Sequence, residues 1–308
     1  MRVIVVGLGI QGRKRQAIVG GDVVATVDPV APEARYRSVE QVPVDDFDAA
    51  LVCTPDQVKV DLVRYLVGQR KHVLVEKPLT ASSSQPLLEL AQLARSSGVA
   101  CYTAYNHRFE PHIARLKQLL DTGTLGDIYL VRGFYGNGTA MDVRGSAWRD
   151  QGMGVLPDLG SHLLDLVLFL TGEPAGTFEP WSFNRFENRA FDHILFGTRS
   201  GRPIVELEAT LMSWRNTFTL DLFGAKGSVH IQNLCKWGPS TLTTRRRVFP
   251  SGRPSEEVQT LESPDPTWAL EYEAFTTLCR TGGTNIENDV WLNGVLQDLS
   301  QPLAAGVH

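Results

Sequence analysis

Apolar positions keep one rhythm along the first 105 residues of this chain and another beyond them. Five short apolar or β-branched runs lie in the first stretch: Arg2–Val6, Val23–Val27, Ala49–Cys53, His72–Glu76 and Val99–Ala104. Such runs suit interior strands of a parallel sheet, which is covered on both faces. Helical spacing fills the gaps: up to about Val19, from about Val58 to Gln69, and from Gln85 to Ser97. The last of these has Ser82-Ser83-Ser84 as a cap in front and Gly98 as a stop behind. Strands alternating with helices predict a doubly wound parallel sheet of the α/β class. The stretch between Pro29 and Val44 is short and polar, so one crossover helix is expected to be missing or reduced.

After about Tyr105 the pattern changes. A helix over Ile113–Leu120 and an alternating strand over Asp127–Gly136 lead into a loop rich in Gly and Arg, then a helix over about Leu159–Leu170. From Gly176 to Val248 several strands follow, with charged and apolar residues alternating in Ile204–Leu211 and Phe218–Phe223. That alternation marks antiparallel strands with one wet face. Ser251–Ser255 reads as a loop, and two helices, about Pro266–Arg280 and Asn288–Leu299, end the chain. Two domains are expected, residues 1–105 and residues 106–308, the second of the α+β class.

Composition narrows the function. A net charge of -4 in 308 residues gives no broad attraction for nucleic acid or an anionic membrane. The apolar start is too short for a secretory signal, and Leu163–Leu170 is too short to span a bilayer and carries Asp165. Cys53, Cys101, Cys235 and Cys279 form no CxxC, which favours free thiols in a reducing, cytoplasmic setting. No compact zinc spacing is present, so no metal is expected.

Two constellations carry chemistry. Gly7-Leu8-Gly9-Ile10-Gln11-Gly12 follows a strand and opens a helix, the setting in which a GxGxxG loop binds a pyrophosphate. Asp28 ends the second strand, near the spacing at which an acid accepts hydrogen bonds from adenosine ribose hydroxyls, and its charge favours NAD over NADP. Arg13, Lys14 and Arg15 could reach phosphate, but a solvated helix face is their ordinary reading. Pro78 stops the His72–Glu76 strand, which puts Glu76 and Lys77 at its carboxyl end, where open α/β sheets bind ligands. The second constellation is the glycine-rich lead from Gly152 into Asp158 and His162, four residues apart at a helix start. A cap and a core histidine would look the same in isolation.

Taken in order, the GxGxxG start, Thr54-Pro55, Glu76-Lys77-Pro78, Tyr105-Asn106-His107-Arg108-Phe109 and the lead into Asp158 and His162 resemble the Gfo/Idh/MocA family of NAD(P)-dependent oxidoreductases. The resemblance covers nearly the whole chain. It implies a Rossmann domain and a second domain with a large open sheet, through which members often form homodimers or homotetramers. It also implies substrates among sugars, cyclitols, sugar acids and nucleotide sugars. By position, Lys77 matches the family's catalytic lysine, and Asp158 and His162 match its substrate-binding acid and catalytic histidine. Thr54, Pro55 and Glu76 fall where nicotinamide and its ribose are held, with Asn106 and Arg108 near the nicotinamide side. Trp148 and Arg149 fall where a Trp-Arg often lines the substrate pocket. The chain departs from the family at Lys59, where a histidine is common.

The expected reaction moves a hydride between nicotinamide and a secondary alcohol or ketone of a carbohydrate. His162 suits the proton acceptor because imidazole titrates near neutrality, and Lys77 suits stabilisation of the developing alkoxide. Two other readings stay open. One is a redox-neutral sugar-modifying enzyme that holds NAD tightly; the other is a ligand-sensing protein that has kept the cofactor fold.

Overall fold

The computed structural model describes residues 1–147 and 149–304, which form two units. Met1–Asn106 and Thr267–Gly294 make the first; the described residues of His107–Pro266, with 295–304, make the second.

The first unit is built on β1 (Val3–Val6), β2 (Val23–Val27), β3 (Ala49–Val52), β4 (His72–Glu76) and β5 (Ala100–Ala104), joined by α1 (Ile10–Val19), α2 (Asp56–Gly68) and α3 (Gln85–Ser97). All of their pairings are parallel, in the order β2-β1-β3-β4-β5. No residue of β1 or β3 reaches the surface, as continuous apolar runs require when both faces are covered. One face packs Val63 and Leu66 of α2 and Leu87 and Leu90 of α3. Between β2 and β3 two single 3-10 turns, Val39–Gln41 and Val44–Asp46, stand in place of a crossover helix. The end of α3 falls at Gly98, in the left-handed conformation at φ +67°. Its start is different: Ser84 makes no side-chain cap hydrogen bond, and Pro86 opens the first turn instead.

The second unit begins with α4 (Pro111–Asp121), β6 (Ile128–Gly136), α5 (Ala140–Arg144) and α6 (Ser161–Thr171). β7 (Phe178–Asn184), β8 (His193–Thr198), β9 (Ile204–Thr210), β10 (Thr217–Gly224), β11 (Gly227–Gln232), β12 (Ser240–Arg246) and β13 (Ser255–Leu261) follow. The sheet order is β13-β12-β11-β10-β6-β9-β8-β7, antiparallel except for β6 beside β9. Buried residues alternate with half-buried ones along β9 and β10, so one face is dry. Leu163 of α6 packs on that face. A Cβ at Gly133 would meet Leu163 at 3.2 Å and Leu207 at 3.0 Å, so this glycine is what lets the helix lie close. β13 is an exposed edge strand, and its Glu256 accepts from Arg245 Nε across the β12 pair at 2.6 Å.

The chain then returns. α7 (Thr267–Thr281), β14 (Gly283–Thr284) and the start of α8 (Ile286–Ala304) belong to the first unit, β14 adding a parallel edge strand beside β5. Phe275 of α7 joins the core on the other face of the sheet, with Val5, Leu51 and Leu74. Of the basic run at the start of α1, Arg13 is solvated and pairs with Glu33, and Lys14 lies 3.9 Å from the Trp268 ring centre. Arg15 overturns the solvated reading. It is 1% exposed, because Gly12, Arg15 and Val19 form the helix stripe that faces inward. Arg15 Nε donates to Glu76 at 2.7 Å and its Nη2 to Glu271 of α7 at 2.6 Å, with Trp268 stacked over the guanidinium at 4.2 Å.

Removing that cation would leave two carboxylates in the interior without their shared partner. Arg15→Met should therefore lower the unfolding free energy by about 3–5 kcal/mol. Adding Glu271→Gln to the same chain should recover part of it, and urea titrations of the two variants measure both effects.

Candidate active site

β1 and β3 are neighbours at the point where the sheet order reverses, which in open α/β sheets is where ligands bind. The passage from β1 into α1 has no room for side chains at two places. Gly7 has φ +90°, and a Cβ there would meet the Cys53 carbonyl oxygen at 2.5 Å; at Gly12 it would meet the Gly7 oxygen at 1.8 Å. Gly9 faces open space, with nothing within 4 Å of its would-be Cβ. As the N-cap of α1 it offers no side chain to the first-turn amides, which are left to an incoming group. Ile10 and Gln11 are exposed beside them.

Asp28, just past β2, is drawn into the same loop. Its Oδ2 accepts from the Leu8 N–H at 2.7 Å, and its Oδ1 accepts from the N–H groups of Val30 and Ala31, each at 2.8 Å. Burial would raise this carboxyl, but the three amides and Arg37 outweigh it and hold it below the usual aspartate range. A carboxylate oxygen with a single donor can accept again, which leaves Oδ2 with capacity for a hydroxyl. Thr54, after β3, has a buried Oγ1 without a hydrogen-bond partner among the described residues, and Pro55 caps α2. Open amides, a charged acceptor and an orphaned hydroxyl fit the phosphates and ribose hydroxyls of a dinucleotide.

Glu76 and Lys77 leave the same sheet edge, because β1, β3 and β4 run parallel. The Glu76 carboxylate is engaged with Arg15. Asn106 is buried, and its Nδ2 donates to Thr267 Oγ1 at 2.7 Å.

In the second unit, Gly154 has φ +47° and its Cβ position lies 2.3 Å from the Phe191 oxygen, so the glycine-rich lead is pressed against that backbone. Leu156–Gly160 is a π-helical turn that carries Asp158, and α6 begins directly after it with His162 in its first turn. Arg149 Nη2 donates to Asp158 Oδ2 at 3.3 Å. His162 is buried, and its ring stacks on that of His107, with centres 4.2 Å apart and planes 22° from parallel. Tyr135 of β6 stands edge-on at 5.9 Å, its phenol pushed above the usual range by burial and then by Asp158 and Asp265. The guanidinium of Arg108 grips Asp165 of α6, Nε at 2.8 Å and Nη2 at 2.5 Å. Burial raises the Asp165 carboxyl, and Arg108 opposes that rise. Trp148 lies outside the described residues. Among the described residues no group of three or more His, Cys, Asp or Glu could hold a metal ion.

Glu271, His107, Tyr135 and Asp165 contact or support candidate residues without having been assigned a role in the sequence. For His107 a signal existed, since it sits inside the Tyr105–Phe109 motif.

A profile described as an oxidoreductase family with an NAD-binding Rossmann fold matches residues 1–105, and one for the GFO/IDH/MocA C-terminal domain matches residues 113–230. The chain belongs to the Gfo/Idh/MocA family of oxidoreductases. Among curated relatives, an uncharacterized oxidoreductase, YdgJ of Escherichia coli, is 33% identical over 132 residues, covering 42% of this chain and 37% of that protein. The inositol 2-dehydrogenase of Rhizobium meliloti is 21% identical over 254 residues, 76% of each chain. The first three curated relatives are matched over only 28%, 37% and 39% of their lengths. A solved levoglucosan dehydrogenase in complex with NADH superposes with a TM-score of 0.82 at 17% identity, covering 99% of this chain and 97% of that one, which speaks for the fold.

Asp28→Asn turns a carboxylate that serves three amides into a group with one accepting oxygen. At pH 7 the variant should be less stable by about 1–3 kcal/mol. The advantage belongs to the ionised carboxylate, so it is full above the ordinary value of 3.8 and is lost as pH falls through the lower folded-state value. Urea midpoints of the two proteins should therefore converge toward acid pH.

Proposed function

We propose that this chain is an NAD-dependent oxidoreductase that moves a hydride between nicotinamide and a secondary alcohol or ketone of a sugar, cyclitol or nucleotide sugar. The observation that carries the reading is the open glycine loop at the same sheet edge as Lys77. Relatives named inositol 2-dehydrogenase, glucose-6-phosphate 3-dehydrogenase and levoglucosan dehydrogenase support the substrate class.

Gly9, Ile10, Gln11 and Gly12 offer backbone amides to the pyrophosphate, Gly7, whose own N–H donates to the Val27 oxygen at 2.8 Å, makes the turn that presents them, and Asp28 takes the adenosine ribose hydroxyls. Its negative charge repels a 2′-phosphate, hence NAD rather than NADP. Thr54 meets the nicotinamide half with its hydroxyl and Pro55 with its ring. Glu76 contributes main chain there, since Arg15 engages its carboxylate, and Asn106 contributes its amide oxygen. When bound, NAD supplies the hydride acceptor at nicotinamide C4.

His162 takes the hydroxyl proton as the alcohol is oxidised, and its stack on His107 fixes the plane of the imidazole. Lys77 donates to substrate oxygen and stabilises negative charge that develops there. Asp158, steadied by Arg149, orients a neighbouring hydroxyl. Arg108 supports this arrangement through Asp165. In the reverse direction His162 returns the proton to the ketone oxygen. The half-buried outer positions of β9 and β10 favour a homodimer or homotetramer, which sedimentation checks. Among the described residues no helix is long and apolar enough to cross a membrane.

With NAD and a panel of myo-inositol, levoglucosan, glucose 6-phosphate and nucleotide sugars, at least one compound should generate NADH absorbance. Lys77→Ala and His162→Ala should each lower kcat/KM by about 10²–10⁴-fold. Product without net NADH would mean the redox-neutral reaction. No turnover of any compound, with both variants indistinguishable from wild type, would remove the oxidoreductase reading.

A further inference from the structure

A lysine inside a protein needs a partner for each of its three donors. Lys59 lies on the stripe of α2 that faces the sheet, together with Val63, Leu66 and Val67, and is 2% exposed. Its Nζ donates to Asp56 Oδ1 at 2.7 Å, to the Pro78 carbonyl oxygen at 3.0 Å and to the Lys77 carbonyl oxygen at 3.2 Å. All three donors are used.

The two carbonyls are the informative contacts. The sheet ladder between β4 and β5 gives out at Glu76 opposite Ala104. Beyond that pair the main chain of Lys77 and Pro78 is held by a side chain of α2, where a strand neighbour would hold it one residue earlier. Just upstream, Arg15 fixes Glu76 by its carboxylate. The residue that bears the reactive ammonium is therefore tethered on both sides by buried cations. The pair with Asp56, whose side chain is 42% exposed, would by itself be an ordinary first-turn contact. It does not account for an ammonium turned inward onto two carbonyls.

We propose that Lys59 is a positioning residue for Lys77, one that fixes the backbone from which the Lys77 side chain leaves the sheet. The proposal rests on reading Lys77 as the group that meets the reacting oxygen. Methionine matches lysine in length and fits the apolar stripe, but it donates nothing. In Lys59→Met the two carbonyls lose a charged donor, and the turn relaxes toward water. Lys59→Arg keeps a cation with several donors.

Amide hydrogen exchange followed by mass spectrometry tests the backbone directly, without any substrate. In Lys59→Met, the segment Leu79–Ala81 should exchange roughly tenfold faster, with β1 and β3 unchanged, and Lys59→Arg should recover most of the protection. Titration with NAD should give a dissociation constant within about threefold of wild type, while kcat with whichever compound of the panel generates NADH falls roughly tenfold and KM for NAD holds. Unchanged exchange at Leu79–Ala81 overturns the proposal, and so does acceleration spread evenly over the sheet, which would make Lys59 a determinant of stability only. A wild-type protein that oxidises no polyol removes the oxidoreductase reading and leaves the exchange result to be judged separately. Unchanged exchange in an active enzyme removes Lys59 alone.

Discussion

A single guanidinium, shared by two carboxylates out of reach of water, is the interaction on which the first unit turns. Arg15 comes from the helix that follows the glycine loop, Glu76 from the last position of the strand that precedes Lys77, and Glu271 from a helix nearly 200 residues further on. Desolvating three charges is costly, and a well-packed apolar cluster of the same volume is often as stable. What the ion triad supplies instead is geometry. A planar guanidinium that donates once to each of two carboxylates admits few arrangements of its partners, so the glycine loop and the strand end are indexed to one another. The proposed role of Lys59 extends this logic by one residue along the strand.

The second unit orders its candidate residues by other means. Apolar packing dominates α6, which is buried from Ser161 through Val167, and within that packing the rings of His162 and His107 lie face to face. Tyr135 and Trp237 close around His107 at 5.3 and 6.4 Å. His107 so enclosed has little rotational freedom, and the His162 ring stacked on it is held in plane by it. Arg108 and Asp165 form an ion pair inside the same unit.

Much of this was legible in the sequence. Strand β4 and helix α3 fall on the residues their patterns indicated, since a continuous apolar run and an amphipathic stripe are both set by local burial. The glycine at 98 marked a helix end for a reason of backbone conformation alone. What stayed hidden depends on contacts distant in sequence. Nothing near Arg15 announces Glu271, 256 positions away, and an arginine in a basic triplet looks solvated. Residues 267–294 read as plain helices because their return to the first unit is written in tertiary packing, with Phe275 entering its core. β13 escaped because an edge strand with exposed glutamates lacks the apolar alternation by which strands are found. The π-helical turn before α6 shifts Asp158 off the simple helical spacing that the sequence suggests, and no residue type signals such a turn.

A crystal structure of the protein grown with NAD tests the central claim most directly. The account predicts the pyrophosphate within about 2.7–3.2 Å of backbone amides at the start of α1. It also predicts a ribose hydroxyl on Asp28 and an Arg15–Glu76–Glu271 triad that keeps its present hydrogen bonds. A dinucleotide bound away from the glycine loop, or an Arg15 side chain released from Glu76 when the cofactor binds, would contradict it.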